Sequence, residues 1–147
     1  MRKTTYGGIT LQDFFHPSMK KTELCGMSAL GLAHMGDAVF ELLIRTHLCK
    51  SGLASSGNLH RATVAYVSAP AQAAFVDAIA PHLSPEEQAI YRRGRNAHVH
   101  GVPKNATHGQ YAKATGLEAL FGSLYLSGQT ERINELFALG MEAQNAL

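Results

Sequence analysis

The sequence predicts an all-α fold, and three observations carry the prediction. Apolar residues recur at helical spacing, as in Leu117, Leu120, Phe121, Leu124 and Tyr125. Helix starts are spelled out: Ser84-Pro85-Glu86-Glu87 combines a cap, a proline at the first helical position and a glutamate at the third, the form of a capping box, and Thr107 to Gln110 repeats it. No alternating run of useful strand length occurs, nor any internal repeat or low-complexity tract.

Taken in order, residues 1–21, with Gly7, Gly8 and Pro17, form a variable lead-in that either docks or frays, ahead of one domain over 22–147. A long helical region is expected from Thr22 to Lys50, where Gly26, Gly31 and Gly36 either bend it or mark close helix contacts. Asn58 is the expected cap of a helix reaching Val67, and Ser68 with Pro70 starts the next, which ends before Pro81. The Ser84 box opens a helix to Asn96. The loop His98–Ala106, containing Gly101 and Pro103, leads to the helix opened by Thr107 and closed by Gly128. Thr130 begins a final amphipathic helix with Ile133, Leu136, Phe137 and Met141 inward, and Leu42, Phe121 and Phe137 are expected in the core.

A chain of 147 residues, 46% apolar, has single-domain length and enough material for a core. The net charge of +2 does not by itself announce a nucleic-acid binder, but its distribution is uneven. No Asp or Glu occurs between Glu87 and Glu118, an interval holding Arg92, Arg93, Arg95, Lys104 and Lys113 together with His98, His100 and His108. Cys25 and Cys49 belong to no CxxC and to no Cys/His pair with zinc-ligand spacing, which argues against a disulfide framework or structural zinc and for a reducing compartment. No apolar run reaches membrane-spanning length, so a cytoplasmic protein without membrane contact is expected.

Two segments of similar build then stand out. HMGDAVFELLIR (His34–Arg45) and ATGLEALFGSLYL (Ala114–Leu126) are apolar helical stretches, each carrying an acid, Asp37 or Glu118, beside its core stripe. An ionised carboxylate taken out of water is penalised by several kcal/mol, roughly, unless a cation or donors compensate it. With no cationic partner nearby in sequence, the two acids point to a metal or a catalytic role. Asp37 and Glu41 lie at i,i+4 on one helix face, and Gly122, one turn after Glu118, lets another backbone approach.

MGDAVFELLIRTHL resembles the signature of ribonuclease III domains, and LEALFGSLYL resembles their second acidic motif. RRGRNA (Arg92–Ala97), PKN (Pro103–Asn105), Tyr111 and Ala114-Thr115 are similar to the Mini-III branch, and the ordered set spans about Leu24 to Gln129. The resemblance implies the helical ribonuclease III endonuclease fold. It also implies a homodimer in which each subunit supplies one divalent-metal cluster and cuts one strand of double-stranded RNA, leaving 5′-phosphate and 3′-hydroxyl ends. Asp37 and Glu118 take the positions of the two central acids as catalytic residues and metal ligands, with Glu41 a candidate for the outer coordination sphere. Larger relatives carry further acids four residues before the first and three before the second; here those positions are Ala33 and Thr115, a reduced set as in Mini-III. Mg²⁺, with Mn²⁺ as a substitute, suits such a site because it keeps several waters and needs only one or two carboxylates plus phosphate.

Arg92, Arg93, Arg95, Asn96, Lys104, Asn105 and Lys113 are the expected RNA contacts, positioning the duplex through its phosphates. The appended double-stranded-RNA-binding domain of larger relatives is not expected, so RNA choice falls to the dimer face, loops or a bound partner such as a ribosomal protein. The substrate implied is the large-subunit ribosomal RNA precursor. Ala29, Gly31 and Ala33 are small residues suited to a subunit contact.

Each feature has a plainer alternative. Asp37 could cap a helix after Gly36, Glu41 could pair with Arg45, and Arg95 and Asn96 could close a helix end. The histidines default to surface residues, with His34 near the site or the dimer contact, and Tyr111 is either an RNA contact or an ordinary half-buried tyrosine. At the level of function, the alternatives are a non-catalytic ribonuclease III-like module that binds structured RNA or the ribosome, and an unrelated helical metallohydrolase suggested by His34 and Asp37.

Overall fold

The computed structural model describes residues 4–53, 55–97, 101 and 104–145. Among these, the strands β1 (Thr4–Tyr6) and β2 (Ile9–Leu11) precede seven α-helices. The helices are α1 (Lys21–Cys25), α2 (Ala29–Lys50), α3 (Ser56–Val67), α4 (Ala69–Ile79), α5 (Pro85–Arg95), α6 (His108–Leu126) and α7 (Thr130–Asn145), with a 3₁₀ turn, Ala80–His82, after α4. The all-α expectation holds for the domain. No helix among the described residues is long and apolar enough to cross a membrane.

Helix α6 is the axis of the fold. Ten of its residues between Ala114 and Leu124 are buried, and α2, α4, α5 and α7 pack around it. A helix buried on nearly every side is an internal one. Phe40 of α2, Phe75 of α4 and Phe121 of α6 meet edge to face at their centre, with ring centroids 5.2 Å apart for Phe40–Phe75 and 5.9 Å for Phe40–Phe121. Ile44, Ile79, Leu117, Leu120 and Leu136 close around them, each side chain contributing about 1.5–3 kcal/mol by leaving water.

Both capping boxes form as expected, Ser84 with Glu87 and Thr107 with Gln110. Other boundaries move. The region from Thr22 to Lys50 is two helices, because Ser28 sits in extended backbone and accepts the Gly31 N–H on its hydroxyl, starting α2 afresh. The cap of α3 is Ser55, whose hydroxyl accepts the Asn58 N–H at 3.2 Å, so Asn58 lies inside the first turn. Leu42, expected in the core, is 54% exposed, since α2 turns that side away from α6.

Part of the lead-in is a β-hairpin. Gly7 and Gly8 both have positive φ, 55° and 81°, as a two-residue primed turn requires, and three-residue strands are too short to register as an alternating pattern. The stretch from Phe14 to Met19 docks on the domain. Met19 N–H donates to the Leu126 carbonyl at 2.8 Å, the Tyr125 hydroxyl donates to the Phe14 carbonyl, and the Pro17 carbonyl sits over Gly128.

Candidate active site

Helices α2 and α6 cross with nothing between their backbones. A Cβ built on Gly36 would lie 1.5 Å from the Glu118 carbonyl oxygen, and one on Gly122 would lie 2.0 Å from that of Leu32. Only glycine at both positions permits this approach. Asp37 follows Gly36 directly, so the crossing brings its carboxyl, which stays exposed, near enough to that of the more enclosed Glu118 to act on it electrostatically. Asp37 lies in the interior of α2, which removes its reading as a helix cap.

The electrostatics of the pair are unusual. Burial, then the Asp37 charge and hydrogen bond, push the Glu118 carboxyl up to about 8, and no cation figures among the causes. Neither acid forms an ion pair with a basic side chain among the described residues. Two carboxyls held together without a counter-ion are a hard-oxygen donor set suited to a divalent cation, which prefers such ligands and completes its shell with water and phosphate.

Among the described residues no third His, Cys, Asp or Glu side chain joins them into a larger cluster. Ala33 is buried in a cluster with Leu24, Leu32 and Ala119, and the Thr115 hydroxyl donates to the Tyr111 carbonyl at 3.0 Å. Glu41, one turn along α2 from Asp37, pairs with Arg45 at 3.4 Å.

The basic segment is partly engaged within the chain. Arg93 donates to the Met27 carbonyl at 3.0 Å, Arg95 lies over the Tyr91 ring 5.8 Å from its centroid, and Lys113 pairs with Asp77 at 2.7 Å. Asn96 is the C-cap of α5, donating its backbone N–H to the Arg92 carbonyl, and its side chain accepts from Arg95 at 3.4 Å. Arg92, Lys104 and Asn105 are exposed, as are His34 and His108, while Tyr111 is half-buried. His98, His100 and Pro103 lie outside the described residues.

One polar contact escaped sequence reading. Arg132 of α7 grips Glu87 of α5 through two hydrogen bonds, 2.8 and 2.9 Å, and holds its carboxyl below the usual range. Forty-five positions separate the two, and no local pattern links them.

Comparison with known proteins places the chain in a family. Residues 30–129 match the ribonuclease III domain. The chain is 48% identical over 107 residues to the Mini-ribonuclease 3 of Symbiobacterium thermophilum, covering 73% of this chain and 82% of that protein. It is 38% identical over 127 residues to the Mini-ribonuclease 3 of Clostridium tetani, covering 86% and 84%. A crystal structure of a protein from Fusobacterium nucleatum aligns with a TM-score of 0.75 at 30% identity, over 83% of this chain and 98% of that one. Ribonuclease III proteins act on RNA and generally work as dimers. The matched span runs from the second residue of α2, which carries Asp37, to just beyond α6, which carries Glu118, and the chain therefore belongs to the ribonuclease III family of endoribonucleases, among its Mini-ribonuclease 3 proteins.

Proposed function

We propose that the protein hydrolyses double-stranded RNA to 5′-phosphate and 3′-hydroxyl ends in a divalent-metal-dependent reaction, as a homodimer in the cytoplasm, and that it matures the large-subunit (23S) ribosomal RNA precursor. The observation that carries this reading is the Asp37–Glu118 pair at the α2–α6 crossing, two neighbouring carboxyls with no basic side chain ion-paired to either among the described residues. The ribosomal RNA assignment, and a ribosomal protein as a partner in choosing that RNA, rest on the resemblance to the Mini-III branch.

Asp37 and Glu118 would hold the cation. A bound Mg²⁺ or Mn²⁺ supplies charge neutralisation at the phosphate and acidification of water. The chain's own contribution is positional and electrostatic. Gly36 and Gly122 fix the separation of the helices, and hence of the carboxyls. Glu118 keeps a proton at neutral pH while no cation is present, and gives it up when positive charge arrives. Arg92, Lys104 and Asn105, exposed around the loop between α5 and α6, can meet the RNA backbone without reading its sequence. Arg93, Arg95, Asn96 and Lys113 can join them only by giving up or sharing contacts made within the chain.

The test is cleavage of a long RNA duplex with Mg²⁺, with EDTA as the control, followed by end mapping. Asp37→Asn and Glu118→Gln should each lower the rate by more than the roughly 10–100-fold that outer-sphere changes cost, with helicity retained. Full activity in either variant overturns the reading. Duplex binding by the purified wild-type protein with no metal-dependent cleavage would instead mark a non-catalytic RNA-binding module.

A further inference from the structure

Helices α2 and α3 carry a second basic surface, separate from the Arg92–Lys113 segment. Between Glu41 and Asp77 the sequence holds no Asp or Glu, yet it contains Arg45, His47, Lys50, His60 and Arg61. The fold brings basic side chains of the two helices together, because α3 packs against the C-terminal half of α2. Arg45 and His60 line one concavity of about 230 Å³, with Cys49 between them in the chain on the same wall. Lys50 and Arg61 each directly follow a lining residue, Cys49 and His60, and both are exposed.

This surface, like the first, is little neutralised by carboxylates. Glu41, 3.4 Å from Arg45, is the one carboxylate ion-paired with any of these side chains among the described residues. Arg61 donates to the Asn58 amide oxygen, a neutral partner that leaves its charge uncompensated. In the other segment, too, one ion-paired carboxylate is found among the described residues, Asp77 with Lys113, while Arg93 donates to a neutral carbonyl.

Its position relative to the acid pair follows from helix geometry. Asp37, Glu41 and Arg45 succeed one another at i, i+4 and i+8 along one ridge of α2. At about 1.5 Å per residue, Arg45 lies about 12 Å and Lys50 about 20 Å along the axis from Asp37. Arg45 shares one side of α2 with Asp37 and Lys50 stands at the C-terminal end of the helix on another side, so the two offer positive charge to a nucleic-acid backbone that runs past the acid pair toward that end.

We propose that Arg45, Lys50, His60 and Arg61 form a second phosphate-contact track for duplex RNA, distinct from the α5–α6 loop. This rests on the reading of duplex RNA as the substrate. The contacts are to backbone charge and set register and affinity without selecting sequence.

The experiment uses the full chain carrying Asp37→Asn, so that RNA is bound and not cut, and a long duplex RNA titrated between about 50 and 200 mM salt. Lys50→Ala and Arg61→Ala remove exposed cations that hold no carboxylate. Each should weaken binding several-fold at low salt and reduce the slope of log affinity against log salt by about 0.9, and the double variant by about twice that. Arg61→Lys should keep the parental slope, and so should Lys21→Ala, a cation of α1 paired with Glu86. A double variant with parental slope and affinity overturns the track and leaves duplex binding standing. A change of oligomeric state in place of a change in slope also overturns it, marking a subunit contact. A parent with no affinity for duplex overturns both this track and the substrate reading beneath it.

Discussion

Glu118 is a carboxyl that its own surroundings keep protonated. Burial and the neighbouring Asp37 raise it to about 8 from an ordinary 4.5, so between these values the folded chain holds a proton that the unfolded chain releases. The sign follows: this residue's contribution is most favourable below about pH 4.5, declines as pH rises through the window, and levels off above about 8. Without divalent metal, the unfolding midpoint should therefore be lower at about pH 8.5 than at about pH 5.5 by more in the wild type than in Glu118→Gln, whose amide stays neutral. Added Mg²⁺ should raise the wild-type midpoint most at the upper pH, where the ligand is already ionised. A wild type and a Gln variant with parallel pH profiles in EDTA would show that no such shift exists. The sequence marked Asp37 and Glu118 as acids on apolar helices, but not that one of them is far more enclosed than the other. That difference depends on which turn of each helix lies at the crossing, a tertiary fact.

The elements that create the site are α2 and α6, and the hinge of their relation is two absent side chains. Gly36 and Gly122 were legible as glycines inside helical patterns, where the propensity cost of about 1 kcal/mol over alanine calls for a reason. The reason is the crossing itself, where a methyl at either position meets backbone and not a yielding side chain. Gly36→Ala should therefore destabilise the protein by about 3 kcal/mol or more, beyond the usual range for a small insertion, because a rigid helix must move. Urea unfolding measures that loss, and cleavage should fall with it as the acids part. An alanine variant with wild-type stability would mean that the helices do not approach as described. The same contrast between local and tertiary signals explains the other outcomes. The Ser84 and Thr107 boxes were readable because a capping box is complete within four residues. The exposure of Leu42 and the Arg132–Glu87 clamp were not, since one is decided by which helix face meets α6 and the other by a partner distant in sequence; the break at Ser28 rests on a local serine cap that lacks the reciprocal glutamate or glutamine of a box.

At the scale of the molecule, the α2–α6 crossing of each chain carries one acid pair, and a duplex has two strands to cut. On the proposed reading one acid pair cuts a single phosphodiester, so severing both strands in one encounter would call for a second pair, which a homodimer would provide. The dimer should thus be separable into two independent cutting events. Mixing wild-type protein with Asp37→Asn protein, dissociating and reassociating the subunits, gives mixed dimers with one competent site each. Such dimers should nick duplex RNA: fragments appear on a denaturing gel while the duplex runs intact on a native one, until nicks on opposite strands accumulate close together. Wild-type dimers should give both signals together. If mixed dimers cut both strands as concertedly as the wild type, a single acid pair serves both strands and the assignment of one strand to each subunit fails. If they cut neither, the two pairs act on each other, and the site is a property of the dimer and not of the α2–α6 crossing alone.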